Sequence, residues 1–337
     1  MLIKSTFNIN NKCSYEAKYT NQRFKQVRDT VSFSGHSNIE NCAKKGIDKL
    51  IHQTALGREL KTKLFVRDYI YDNFSQNNKI NLFCGGCSTG EESTTYSMLL
   101  HGLKDKVVIL GVDLGKKAIK QAKSGKFIFE VPKKNVNLLD YFNSIDDSPY
   151  TDSYLLNAKN NGLSPEQSYF KSLFKEFFVP TNKKIRTPFG EYIHNLIEKR
   201  NGENPLELDR VEYKLKDEIG QNCRYKVGDV RDIDKITGGE KQNVISFCNA
   251  LYHLTTYSYD YGMRASRQDS EKVITNLMSK FKNSLTEKGI VVFGENEGPQ
   301  LLDNEVVPKV MQKLDFEPLN KTISHEANVW RVNKNSE

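Results

Sequence analysis

The sequence predicts an α/β fold built on a Rossmann-like, doubly wound parallel sheet of seven strands. Three observations carry this. A short apolar run, "KINLFC", enters a glycine turn, "GGCSTG", and then a helical pattern in which Tyr96, Leu99, Leu100 and Leu103 recur at i, i+3, i+4 and i+7. A second apolar run, "KVVILGVD", precedes "GKKAIKQAKSG", a short helix closed by Gly125. Apolar runs return late in the chain at "RYKVGDV", "QNVISFC" and "GIVVFGE", with the helical "SEKVITNLMSKFKNSL" between the last two. Alternating strands and helices argue for parallel pairing with helices on both faces.

In chain order, residues 1–76 read as an N-terminal helical region. The stretch "IDKLIHQTALGRELKTKLFVRDYIYDNF" carries apolar residues at 47, 50 and 51 and again at 64, 65 and 69. Asn77 and Asn78 break the chain, and residues 77–337 form the α/β domain. Ser88 or Thr89 is placed to cap the helix that starts at Glu91. The alternation stops over an insertion at about 130–219, which reads as helical. There "SPEQSYFKSLFKEFF" sets Phe170, Phe174, Phe177 and Phe178 on one face, and "TPFGEYIHNLIEKR" and "LDRVEYKLKDEI" also have helical spacing. An insertion of this size is expected to form a cap or a substrate-binding element. The segment "FEPLNKTISHEANVWRVNK" suits a closing antiparallel hairpin, which completes seven strands.

A chain of 337 residues can bury a substantial core. It has no run of 18 apolar residues and its first residues lack the apolar core of a signal peptide, so no membrane insertion and a cytoplasmic location are expected. The six cysteines show no framework spacing, which suits reduced thiols. Cys84 and Cys87 read as small residues of a tight turn, and no metal site is expected. The net charge of +8 is uneven: residues 1–129 hold 21 Lys and Arg against 11 Asp and Glu. That basic third is expected to meet an acidic protein or nucleic acid.

The glycine turn poses the question of its ligand. Gly85 and Gly90 have the spacing of a phosphate loop, but Glu91 and Glu92 follow where Lys and Ser or Thr are required. Carboxylates there repel a triphosphate. The dinucleotide pattern G-x-G-x-x-G is absent too, yet Asp113 ends the second strand where an acid binds ribose hydroxyls. A ribose without a phosphate chain, carrying a positive group near the acids, is what remains. S-adenosylmethionine has an adenosine, a sulfonium and an α-amino group, and it fits.

The stretches "FCGGCSTGEES", "VVILGVDLGKKAIKQAKSGKF", "VISFCNALYHL" and "LTEKGIVVFGENE" together resemble the CheR-type chemotaxis receptor methyltransferases. The likeness covers residues 79–126 and 222–298. It implies a seven-stranded class I methyltransferase fold and methyl transfer from S-adenosylmethionine to glutamate side chains of a protein. It further implies that Glu92 holds the methionine amino end or its surroundings, that Asp113 binds the ribose, that Asp229 and Val230 border the adenine, and that Cys248 and Asn249 flank the methyl donor through the backbone. The chain departs from the family in two places. Its nearest match to the T-x-F-F-R signature is "TVSFS", with Ser34 in the arginine place, and the family's second arginine is Asn249. Some members also carry a small β subdomain where this insertion reads as helical.

On the acceptor side, "NALYHLTTYSYDYG" follows the fourth strand of the sheet, at the crevice where open α/β sheets bind ligands. Tyr252, with Tyr257, Tyr259 and Tyr261, can wall a pocket, and His253 can accept a proton. An acceptor carboxylate is already ionised at neutral pH and needs no base, whereas a hydroxyl or amine does. Two other readings stay open: a methyltransferase of nucleic acid or a small molecule, and a non-catalytic S-adenosylmethionine-binding module.

Overall fold

The computed structural model describes residues 56–132, 165–185, 208–248, 250–254, 267–294, 306–320 and 328–333. Helix α1 (Leu60–Phe74) leads into β1 (Ile80–Gly85), α2 (Glu91–Leu99), β2 (Val107–Asp113) and α3 (Lys116–Ser124). The insertion contributes β3 (Lys126–Pro132), α4 (Pro165–Phe177), β4 (Phe178–Lys184) and β5 (Leu208–Leu215), followed by the single turn α5 (Asp217–Gly220). The chain then returns through β6 (Cys223–Val227), α6 (Ile233–Thr237), β7 (Gln242–Phe247), α7 (Leu251–Leu254), α8 (Arg267–Ser284) and β8 (Leu285–Phe293). Helix α9 (Val306–Lys313), β9 (Phe316–Pro318) and β10 (Val329–Val332) complete it.

The main sheet runs β6-β2-β1-β7-β8-β10-β9. Neighbours from β6 to β8 pair in parallel, while β10 pairs antiparallel with both β8 and β9. This order, with one reversed strand inserted next to the edge, is that of the class I methyltransferase sheet. The central β1 and β7 are buried at every position, as a strand covered on both faces must be. Edge strand β6 instead exposes Arg224 and Lys226, charges that discourage pairing with another chain. The strand order switches direction between β1 and β7, and the crevice there opens at the strands' carboxyl ends.

Alternate residues of β1 feed two cores. Phe83 faces α8 and α9 with Ile274, Phe281 and Met311, while Leu82 and Cys84 face α1 and α2 with Val66, Ile70 and Tyr96. A third core joins Leu60 and Leu64 of α1 and Met98 and Leu99 of α2 to the aromatics of the insertion.

The insertion corrects the helical reading. Its described part holds α4 where the phenylalanine face predicted it, but also a three-stranded antiparallel sheet in the order β3-β5-β4. "LDRVEYKLKDEI", read as a helix, is β5 with one helical turn after it. Register explains this. Phe127 lies opposite Tyr213, Phe129 opposite Val211, and Phe178 opposite Leu215, and Tyr213 and Leu215 of β5 pack with the phenylalanines of the third core. "TPFGEYIHNLIEKR" and residues 1–55 lie outside the described residues. The closing hairpin forms as β9 and β10.

Candidate functional site

The site starts where β1 ends. A Cβ at Gly85 would stand 2.8 Å from a methyl of Val230 and 2.9 Å from the Phe247 ring, so Gly85 is the residue that lets three strand ends converge. The chain then takes left-handed conformations at Gly86, Ser88 and Gly90. Gly90 has φ near 95°, and a side chain there would also press on Ala122 and the Tyr225 hydroxyl, each 3.0 Å away. Neither Ser88 nor Thr89 caps α2. Gly90 occupies the cap position without a side-chain bond, and the Thr89 hydroxyl instead donates to the Glu91 carboxylate at 2.6 Å.

Asp113 binds this turn to β2. One of its oxygens accepts the Ser88 N–H at 2.9 Å and the other the Gly115 N–H at 2.7 Å. The Cys87 N–H reaches the Val112 carbonyl at 3.0 Å. The carboxylate is therefore fixed at the strand end and half-buried, with a further lone pair on each oxygen for ribose hydroxyls. The buried Ser88 hydroxyl has no hydrogen-bond partner among the described residues, which leaves a donor and acceptor inside the turn.

Across the crevice, Asp229 caps the turn that presents Val230, accepting the Arg231 N–H at 2.9 Å. Burial works against its charge, but the Arg231 guanidinium and N–H hold its carboxyl below the ordinary range. Val230 is buried against Gly85.

Glu92 is 9% exposed and accepts a hydrogen bond from Ser246 at the end of β7. The Ser246 oxygen lies 3.4 Å from the Cys248 sulfur and 3.3 Å from the Tyr96 hydroxyl. Burial, with Glu92 adding to it, pushes the thiols of Cys84 and Cys248 well up, so both are neutral. Beside them stands Lys63, 3% exposed, donating to the Arg58 carbonyl at 2.6 Å and lying 5.9 Å from the centre of the Tyr96 ring. Burial opposes its charge, yet the carboxylates of Glu59 and Glu92 favour it and its pKa is raised.

The structure thus brings Gly85, Gly90, Glu92, Asp113, Asp229, Val230 and Cys248 to one end of the sheet. Asn249 lies outside the described residues, as do Tyr257, Tyr259 and Tyr261. Tyr252 and His253 fall on α7, directly after β7, with side chains that are not among those described. Sequence reasoning missed Lys63, Ser246 and the polar role of Tyr96. A signal for Lys63 existed: it sits in the apolar stripe of α1, three residues after Leu60 and three before Val66.

These residues fit S-adenosylmethionine. The turn carries no cation for phosphate, the fixed acid stands where a ribose belongs, and a buried carboxylate waits near the strand ends for a positive group.

Residues 52–150, less than half of the chain, match the model of the CheR methyltransferase S-adenosylmethionine-binding domain. No curated protein matches. Among solved structures, monomeric WbdD is similar at 8% identity and TM-score 0.38, over 92% of this chain and 48% of its own. An rRNA-methylase-like protein from Clostridium thermocellum shares 13% identity at TM-score 0.35, over 83% of this chain and 99% of its own. The rRNA methyltransferase aviRa from Streptomyces viridochromogenes shares 11% at TM-score 0.33, over 72% and 76%. The chain spans about half the length of WbdD. None of the three reaches a TM-score at which likeness bears on function, so the fold rests on the strand order. No described helix is long and apolar enough to cross a membrane. With the family model and the fitting turn together, the cofactor is S-adenosylmethionine.

Proposed function

We propose that the chain methylates a protein carboxylate, the glutamate side chain that the CheR resemblance implies. The observation that supports this reading most is the antiparallel sheet β3-β5-β4 in the insertion of a chain that matches the CheR model. It answers to the small β subdomain of that family and removes one of the departures seen in the sequence. Four exposed lysines of α3 (Lys116, Lys117, Lys120 and Lys123) belong to the basic N-terminal third and give an acidic protein segment a place to dock.

When bound, S-adenosylmethionine supplies an electrophilic methyl carbon on a sulfonium. The chain's own residues then bind and align. Asp113 fixes the ribose end, Glu92 takes the ammonium end, and Val230 with the close-packed Gly85 walls the crevice. Cys248, a neutral thiol, stands at the strand end without competing as a nucleophile. An ionised acceptor carboxylate needs no general base, so orientation in a sheltered crevice is the main contribution.

The test is tritiated-methyl transfer from S-adenosylmethionine into a cell lysate. The expected product is a labelled protein that releases methanol in mild base, as glutamyl esters do. Label that resists base, or label in nucleic acid, overturns the reading.

A further inference from the structure

We propose that Lys63 is a positioning residue for the amino end of the cofactor, acting through Glu92. The proposal rests on the assignment of S-adenosylmethionine to the glycine turn. At 3% exposure Lys63 is too enclosed to meet a ligand itself. It is also costly where it stands. Its ammonium has a single hydrogen-bond acceptor among the described residues, the Arg58 carbonyl at 2.6 Å, and two N–H groups without one. A cation kept in the interior on those terms implies a task.

The task follows from what surrounds it. The cluster runs without a break from Lys63 over the Tyr96 ring, through the Tyr96 hydroxyl to Ser246, and from Ser246 to Glu92 and Cys248. Three elements, α1, α2 and β7, each supply part of it. Arg58 pairs with Glu59 at 3.8 Å, and Lys63 is joined to Glu92 through the Tyr96 ring and Ser246. No ion pair within 4 Å joins Lys63 to Glu92 among the described residues. The ammonium therefore stands beyond ion-pair distance and leaves the carboxylate unoccupied. One Glu92 oxygen is fixed by Ser246; the other carries no hydrogen bond among the described residues. A carboxylate held in this way presents a free oxygen to an incoming ammonium, at a depth where a charge-assisted hydrogen bond is strong.

Calorimetry with three ligands tests this. S-adenosylmethionine has the amine and the carboxylate, its decarboxylated form has the amine alone, and methylthioadenosine has neither. Lys63→Met should weaken the first two by about tenfold to a hundredfold and leave methylthioadenosine within about twofold. Lys63→Arg, which keeps the charge, should recover most of the loss. Glu92→Gln should show the same split, and adding it to Lys63→Met should cost less than about threefold more, because the two act as a unit. If Lys63→Met does not fold, Lys63→Gln carries the same test, since its amide can still donate to the Arg58 carbonyl. Equal loss for all three ligands would make Lys63 merely structural. Loss for S-adenosylmethionine alone would mean direct contact with the carboxylate. Either result overturns the proposal while sparing the cofactor assignment. A parent protein that binds none of the three overturns both.

Discussion

The two sheets of this molecule treat a buried acid in opposite ways. In the antiparallel insertion, Glu212 is 5% exposed and fully provided for. It accepts the Thr181 hydroxyl at 2.9 Å, and the ammonium groups of Lys126 and Lys183 stand at 3.6 and 3.7 Å. At the carboxyl end of the parallel sheet, Glu92 is about as buried, but it has one serine and a lysine kept beyond ion-pair distance. An acid satisfied by its own sheet is a clamp. An acid left one bond short in a crevice is a binding group. The comparison separates stability from function with the same residue type, and it assigns the insertion a folding role of its own and the glycine turn a ligand.

The largest expected effect breaks the insertion while sparing the turn. Phe174 is 3% exposed, stacks on Phe178 at 4.6 Å and meets Phe129 edge-on at 5.4 Å. Phe174→Ala should destabilise the protein by about 3–5 kcal/mol, the loss of a buried ring plus the cavity it leaves. Denaturant unfolding measures it. Affinity for S-adenosylmethionine should fall by less than about tenfold in the folded variant, since the core that holds Phe174 includes no residue of the turn. A loss of affinity as large as the loss of stability would show that the third core, which reaches into α1 and α2, governs the site.

A smaller effect works from the other side. Asp113→Ala should weaken S-adenosylmethionine by about 1.5–3 kcal/mol, the worth of charge-assisted hydrogen bonds to a ribose. Calorimetry reads this directly. Unchanged affinity would mean that the carboxylate serves only to tie Ser88 and Gly115 to the strand end, making Asp113 a clamp like Glu212.

How far the sequence foretold this contrast depends on the period of each segment. The parallel sheet was legible because its strands are buried on both faces and read as apolar runs bounded by glycine, as "INLFCG" does. Gly85, Gly90 and Asp113 were legible because their positions at strand ends have few other uses. The antiparallel sheet was not. In "LDRVEYKLKDEI" two periods coexist: Leu208, Val211, Leu215 and Ile219 follow a helical rhythm, while Val211, Tyr213 and Leu215 alternate. Pairing with β3 and β4 decides between them, and pairing is not a local property. Lys63 was hidden for a different reason. A lysine within an apolar stripe is ordinarily a surface residue whose stem lies along the core. Only Glu92, brought in from α2, together with Glu59 at the helix's own start, makes its burial intelligible.

The smallest effect sharpens the comparison through pH. Burial works against the charge of Glu212, but the Thr181 hydroxyl and the ammonium groups of Lys126 and Lys183 hold its carboxyl below the ordinary range. A carboxylate lowered in the folded state stabilises it at every pH above the unfolded value. That contribution is lost as pH falls through the folded value, because the proton then binds the unfolded chain more readily. Both lysine side chains are substantially exposed, at 42% and 62%, so solvent screens the pairs and the gain is modest. Glu212→Gln should therefore cost about 1 kcal/mol at neutral pH, mostly from the weakened bond to Thr181 and the lost pairing. The difference between parent and variant should shrink as pH falls below about 4 and disappear once the folded carboxyl is protonated. Urea unfolding across that range measures it. A pH-independent difference would mean that Glu212 stabilises by shape and not by charge, and the contrast with Glu92 would then be one of packing alone.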